Sequence, residues 1–242
     1  MSKALPDGYT LLFTVSGTHS AAPAIQKDLP YDPIRDFTAI SLLGTYGFLL
    51  VTNPSLPVKN VGELVRLAKR NPGQLNYSSS GVGSGIHLAG EFFKLVAGVD
   101  IVHVPFSGAA PALQEVAGRV EMTFDAGANR AIDAGRARLI GTTSATRDPR
   151  YPNVPTIAEQ GLKGFENQSW IALYGPPGLP GPIQSQLNSI ANELLNDPET
   201  RKGLASWGIT VTPGPPAQLD QLVRTEIAQF QRIVADAKLR FD

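Results

Sequence analysis

Short apolar runs of β character alternate with segments whose apolar residues recur every three to four positions, and this alternation constrains the chain more than any other feature. The runs are YTLLFTV (9–15), GFLLVTN (47–53), QLNYSSS (74–80), IVHVPF (101–106), VEMTFD (120–125), RLIGTTS (138–144) and SWIALYG (169–175). Most are apolar on both faces, as buried strands between helices must be. Helical spacing marks 63–70 behind a candidate Asn60 cap, 86–98, 109–119 and 131–136. The pattern predicts an α/β protein with a parallel or mixed sheet, and such sheets hold ligands beyond the carboxyl ends of their strands. After about residue 175 the pattern changes. GPPGLPGP (175–182) opens a mainly helical third with segments at 183–197, 197–208 and 217–237.

Charge and composition remove several functions. Lys plus Arg number 21, as do Asp plus Glu, so no net field exists to hold nucleic acid or an anionic membrane. No stretch approaches the roughly 18 consecutive apolar residues of a membrane span. Cysteine is absent, which removes disulfides, thiolate metal sites and Cys nucleophiles. The opening MSKALPDGYT has one Lys followed by a turn, with no apolar core of a secretory signal.

The strongest chemical signal is Ser80-Gly81-Val82-Gly83-Ser84, the end of the run SSSGVGSG, which leads from a strand into a helix near Ile86. Such a turn aims unpaired backbone N–H groups and the positive end of a helix at one point, which suits an anion. Its spacing is neither that of a P-loop nor that of a dinucleotide fingerprint, so no nucleotide or other cofactor is implied. A second loop of this kind is expected at 14–19, with Ser16, Gly17 and Thr18 at its centre, and Phe106-Ser107-Gly108 and Asp125 add two further polar strand ends. Each of these also reads as a plain turn or helix cap. His19, His87 and His103 match no local metal-ligand spacing, and His103 reads as a hydrogen-bonded core residue. Neither G-x-S-x-G nor H-E-x-x-H occurs, so hydrolysis has no visible machinery.

Six segments, LPDGYTLLFTVSGTHS, PYDPIRDFTAISLLG, LNYSSSGVGSGIHLAGEFFK, VPFSGAAPALQEVAGRVEMTFD, DPRYPNVPTIAEQG and SWIALYGPPGLPGPI, occur in the order seen in the Bug family. The chain thus resembles, over essentially its whole length, the periplasmic solute-binding receptors of tripartite tricarboxylate transporters. The resemblance implies a type II periplasmic-binding-protein fold in which two α/β lobes, joined by two crossing strands, close on a small carboxylate. Carried onto this sequence, one lobe is 48–169 and the other is 1–47 plus 170–242. Ser80, Gly81, Gly83 and Ser84 with His87 would hold one carboxylate, Ser16, Gly17 and Thr18 would face it from the other lobe, and Phe106, Ser107, Gly108 and Asp125 would line the floor. The implied role is a non-enzymatic receptor for a mono-, di- or tricarboxylate in the periplasm, serving the membrane subunits of a tripartite transporter or a sensor kinase. The family begins with a signal peptide, a strand, a Gly-rich turn, a helix and a second strand ahead of the position matched by Leu5-Pro6-Asp7. The chain therefore reads as N-terminally shortened, with self-association of an incomplete lobe expected. The readings set against this one are a non-transporting interaction domain and an enzyme on the same architecture.

Overall fold

A computed structural model describes residues 1–26 and 28–236. The chain divides into two compact units, one built from Met1–Tyr46 and Ser169–Val234 and the other from Gly47–Gln168.

The first unit holds a four-stranded sheet in the order β1-β8-β2-β9, formed by β1 (Leu12–Val15), β2 (Thr38–Gly47), β8 (Gln168–Gly175) and β9 (Thr210–Val211). β1 runs antiparallel to β8, with Val15 opposite Ile171, and β9 runs antiparallel to β2. A π-helical turn, Gly17–Ala21, leads from β1 directly into α1 (Ala22–Ile25). The expected second Gly/Ser loop is therefore helical from Gly17 onward. α6 (Gly181–Asn196), α7 (Pro198–Ser206) and α8 (Pro216–Asp236) supply the helical third. α8 buries Leu219, Val223, Glu226, Phe230 and Ile233, a stripe at three- and four-residue steps. Leu219 and Val223 pack with Ala39, Leu42, Trp170, Ala172 and Tyr174 in the core of this unit.

The second unit is a five-stranded sheet in the order β5-β4-β6-β3-β7, with β3 (Leu49–Thr52), β4 (Asn76–Ser79), β5 (Val102–Pro105), β6 (Met122–Asp125) and β7 (Arg138–Thr142). β4 is parallel to β5 and β6, whereas β3 is antiparallel to β6 and β7, so the sheet is mixed. β3 and β6 are buried throughout, Thr52, Thr123 and Asp125 included, while the edge strand β5 is partly exposed. α2 (Val61–Arg70) starts where the Asn60 side chain accepts the Glu63 N–H at 2.8 Å and the Glu63 carboxylate accepts the Lys59 N–H at 2.7 Å. α3 (Gly85–Ala97) is capped by Ser84 and ends at Gly98, whose φ of 61° lies in the left-handed region. α4 (Ala109–Val116) and α5 (Asn129–Asp133) complete the unit. Among the described residues no helix is long and apolar enough to cross a membrane.

Candidate functional site

The register of the five-stranded sheet decides which loops share an end. Ser79 lies opposite Pro105, Ser78 opposite Thr123, and Leu49 between Asp125 and Thr142. The turn 80–84, Phe106-Ser107-Gly108, Asp125, Phe48 and Thr143 therefore emerge at one edge of the sheet. Five segments far apart in sequence are brought together because β4, β5 and β6 point the same way and β3, antiparallel to β6 and β7, begins where those strands end.

Within the turn, hydrogen bonds sort donors already used from donors still available. Gly81 N–H donates to Ser79 Oγ at 3.1 Å, Gly83 N–H to His87 Nδ1 at 3.0 Å and Ser84 N–H to Gly81 O at 3.2 Å. Ser84 Oγ in turn accepts the His87 N–H at 3.2 Å. The amides of Gly81 and Gly83 thus shape the turn. The donors it can offer an anion are the first-turn N–H groups of Gly85 and Ile86 and the half-buried Ser80 hydroxyl, none of which makes a hydrogen bond among the described residues. Gly83 has φ 80° and Gly81 φ 123°, conformations in which a side chain is strained, so glycine is needed here for backbone shape. Ser78 and Ser79, the other two serines of the run, are buried. Ser78 donates to Ala112 O at 2.9 Å and Ser79 Oγ lies 2.6 Å from His103 Nε2.

Around this turn, Ser107 is exposed and Phe106 and Gly108 are half-buried ahead of α4. Asp125 is buried. Its Oδ1 accepts the Gly127 N–H at 2.6 Å, and burial pushes its carboxyl above the usual carboxylate range. Phe48 is buried too, within 3.3 Å of where a Cβ on Gly85 would lie, and its N–H donates to Thr143 Oγ1 at 2.8 Å.

Residues beneath the turn were not legible as a group from sequence. Tyr77 lies opposite His103 across β4 and β5, and the His103 ring stacks on Tyr77 at 4.9 Å and on His87 at 4.0 Å. The Tyr77 hydroxyl donates to Glu91 Oε1 at 2.7 Å, and Lys94 Nζ approaches the same oxygen at 2.8 Å. Strand register joins His103 to this group, and helical steps of four and three join His87, Glu91 and Lys94.

In the other unit, Ser16 is buried with its hydroxyl 2.8 Å from Ser169 Oγ. Gly17 and Thr18 open the π-helical turn. Thr18 Oγ1 lies 2.6 Å from Thr14 Oγ1 and donates to Val15 O at 3.0 Å. These hydroxyls are already engaged with their own unit. His19, next in sequence, is buried among aromatic rings, stacked on Tyr174 at 4.5 Å.

The family profile described as "Tripartite tricarboxylate transporter family receptor" matches residues 1–239. The chain belongs to this family. BugT of Bordetella pertussis is 30% identical over 99% of the chain and 75% of its own length. Among solved structures, Rpa4515 of R. palustris with adipate is 33% identical at a TM-score of 0.90, covering 99% of this chain and 81% of that one. MatC (Rpa3494) of Rhodopseudomonas palustris with bound malate is 34% identical at 0.82, covering 96% and 81%. The chain accordingly has the α/β fold of periplasmic solute-binding proteins, and its relatives are receptors, not enzymes.

Proposed function

We propose that the chain captures a small organic anion through its carboxylate groups, outside the cytoplasm, for delivery to the membrane subunits of a tripartite transporter. The observation that carries this reading is the turn 80–84 at the start of the thirteen-residue helix α3, where the N–H groups of Gly85 and Ile86 and the Ser80 hydroxyl make no hydrogen bond among the described residues. Partial charges of this kind favour a carboxylate, and hydrogen bonds to a charged acceptor contribute about 1.5–3 kcal/mol each. The adipate and malate in the two related structures are small dicarboxylates, which supports the same ligand class. Ser107 and the amides that open α4 belong to the same proposed site, as does Asp125, whose raised carboxyl is suited to share a proton with an acidic ligand.

Val82 gives a clean test because it is exposed at the tip of the turn and lies outside the strained glycine positions. Val82→Asp brings a like charge toward the donors, and Val82→Asn brings the same bulk without charge. Titration calorimetry with adipate and malate should show at least about a tenfold loss for the Asp variant and little for the Asn variant. Equal affinities for the two variants place the site elsewhere. A ligand at a hundredfold excess over Kd stabilises the folded protein by about 2.7 kcal/mol, so carboxylates should raise the melting temperature and sugars or amines should not. A melt that a sugar moves and no carboxylate moves overturns the ligand class.

A second reading rests on β1, an edge strand with Phe13 64% and the neighbouring Tyr9 93% exposed. Such an edge favours self-association of the chain at tens of micromolar. A monomeric sedimentation profile rejects it.

A further inference from the structure

Two imidazoles lie under the anion-binding turn, and each is tied to a different part of it. His103 Nε2 lies 2.6 Å from Ser79 Oγ, and that hydroxyl meets both Gly81 O and Gly81 N at 3.1 Å. His87 Nδ1 accepts the Gly83 N–H at 3.0 Å. The rings are stacked, with centroids 4.0 Å apart and planes 23° from parallel. A nitrogen that accepts a hydrogen bond carries no proton, so this geometry fixes His87 as the neutral tautomer with its proton on Nε2. Protonation would set an N–H at Nδ1 against the Gly83 N–H, and one of the two would have to leave.

The titratable and charged groups packed around the pair are few. Tyr77 of β4 stacks on His103 and donates to Glu91. Glu91 and Lys94 of α3 form an ion pair, and the two histidines face one another from α3 and β5. Glu91 favours protonation of the imidazoles and Lys94 opposes it, while burial, the largest influence, holds both below the usual histidine range, His103 at about 4. Both rings are therefore neutral at neutral pH. A proton on one ring further opposes a proton on the other.

We propose that the stacked His87–His103 pair is a proton-sensitive latch on the turn: neutral, it holds Gly83 and Gly81 in the shape that presents the donors of α3, and protonation of His87 frees Gly83 and releases the ligand. The proposal rests on the carboxylate reading above. His87 acts as a positioning residue, through the loop backbone. Acidification then favours unloading, and the ligand dissociates without any domain of the protein unfolding.

His87→Asn is the discriminating variant, because the Asn Oδ1 can take the place of Nδ1 as acceptor and does not titrate. The first readout needs no ligand: the Gly83 amide resonance, followed by NMR from about pH 7.5 to 4. In the wild-type chain it should follow a single titration below the ordinary histidine pKa of about 6.5, and in His87→Asn it should stay flat. The second readout is adipate affinity. The ligand's own carboxyls titrate equally in both experiments, so the ratio of the two affinities isolates the protein. It should be within about threefold at neutral pH and reach about tenfold in favour of His87→Asn near pH 4.5, whereas His87→Ala should bind about tenfold more weakly than the wild type already at neutral pH. A wild-type Gly83 amide that does not titrate, or an affinity ratio that stays constant with pH, overturns the latch. Failure of every protein to bind any carboxylate at neutral pH overturns the ligand reading instead, while the amide titration, which requires only the wild-type chain, still decides the latch.

Discussion

Two histidine clusters sit at strand ends in this protein, and they are used differently. His87 and His103 each join a ring nitrogen to the Gly-rich turn. His19 reaches Thr14 Oγ1 at 3.2 Å with Nδ1, but its buried Nε2 has no partner among the described residues, and neither does the hydroxyl of Tyr174 stacked on it. Tyr31, Phe37, Trp170 and Tyr174 surround His19, which is consequently a packing ring. The residue type alone does not separate these roles. What separates them is whether ring nitrogens are bonded to the turn, as His87 is to the Gly83 N–H and His103 to Ser79 Oγ, or packed among rings with Nε2 unpartnered among the described residues, as in His19.

The largest expected effect falls on the aromatic cluster. Trp170 is 1% exposed and its Nε1–H donates to Glu226 Oε2 at 2.6 Å. Trp170→Ala removes both the ring and this partner, and should cost about 3–5 kcal/mol. Differential scanning calorimetry reads it, since the two units need not unfold together. A melt within a degree or two of wild type would show that this cluster contributes little.

Next comes the charge at Glu226, which burial raises to about 7 against the Trp170 donor that lowers it. A carboxyl whose folded pKa lies above its unfolded value gives stability that is present below about pH 4.5 and lost as pH rises through 7. Glu226→Gln keeps an acceptor for Trp170 and removes the charge. It should flatten that alkaline loss and stabilise the protein by up to about 3 kcal/mol above neutral pH. The histidines have the opposite sign. His19 and His103, both lowered to about 4, contribute stability that is complete above about 6.5 and lost as pH falls toward 4. Urea melts from pH 4 to 8 separate the two slopes, and an unchanged slope in Glu226→Gln would show that this carboxyl is not the source.

The cluster under the turn is broken by a smaller change. A Cβ on Gly90 would lie 2.5 Å from Tyr77 Cζ, inside a buried ring. Gly90→Ala should cost about 1–3 kcal/mol and displace the Tyr77 ring that stacks on His103. A fully stable Gly90→Ala would mean that α3 can slide away from β4.

Much of this architecture is legible in the sequence, because strands and helices that are buried on one or both faces carry their period with them. The helices at 86–98, 109–119 and 183–197 and six of the seven strand runs fall within a few residues of α3, α4, α6 and β3 to β8. The opening run shrinks to Leu12–Val15, since Asp7 Oδ1 takes the Tyr9 N–H in a local turn. β2 was missed: the segment TAISLLGTYG carries Gly44 in mid-strand, where a Cβ would meet Thr210 O and Ile209 and only glycine lets β9 approach. Of the candidate site, the turn 80–84 and its polar strand-end companions were readable. The bond from Gly83's amide to His87 spans only four residues and depends on the left-handed turn at Gly83, while the approach of His103 follows from a strand register that no local spacing encodes.

The smallest effect is the one that most sharpens the contrast between a fold-holding and a site-shaping contact. Ser84 and Asn60 are both helix caps, accepting the N–H three residues ahead at 3.2 and 2.8 Å. Either residue changed to Ala should cost about 1 kcal/mol, within the usual range of about 0.5–2 kcal/mol for a cap. The N–H that Ser84 holds belongs to His87, so its loss loosens the residue that in turn holds Gly83. Ser84→Ala should therefore weaken carboxylate binding several-fold, and Asn60→Ala, which starts α2 elsewhere in the same unit, should leave it unchanged at equal thermal cost. Glycine distinguishes cap from site once more. Ser84→Gly restores most of the stability, because glycine is a tolerable cap, yet it supplies no hydroxyl for the His87 amide. Equal affinities for Ser84→Ala and Asn60→Ala, measured by calorimetry beside their melting temperatures, would show that the start of α3 is only a helix end.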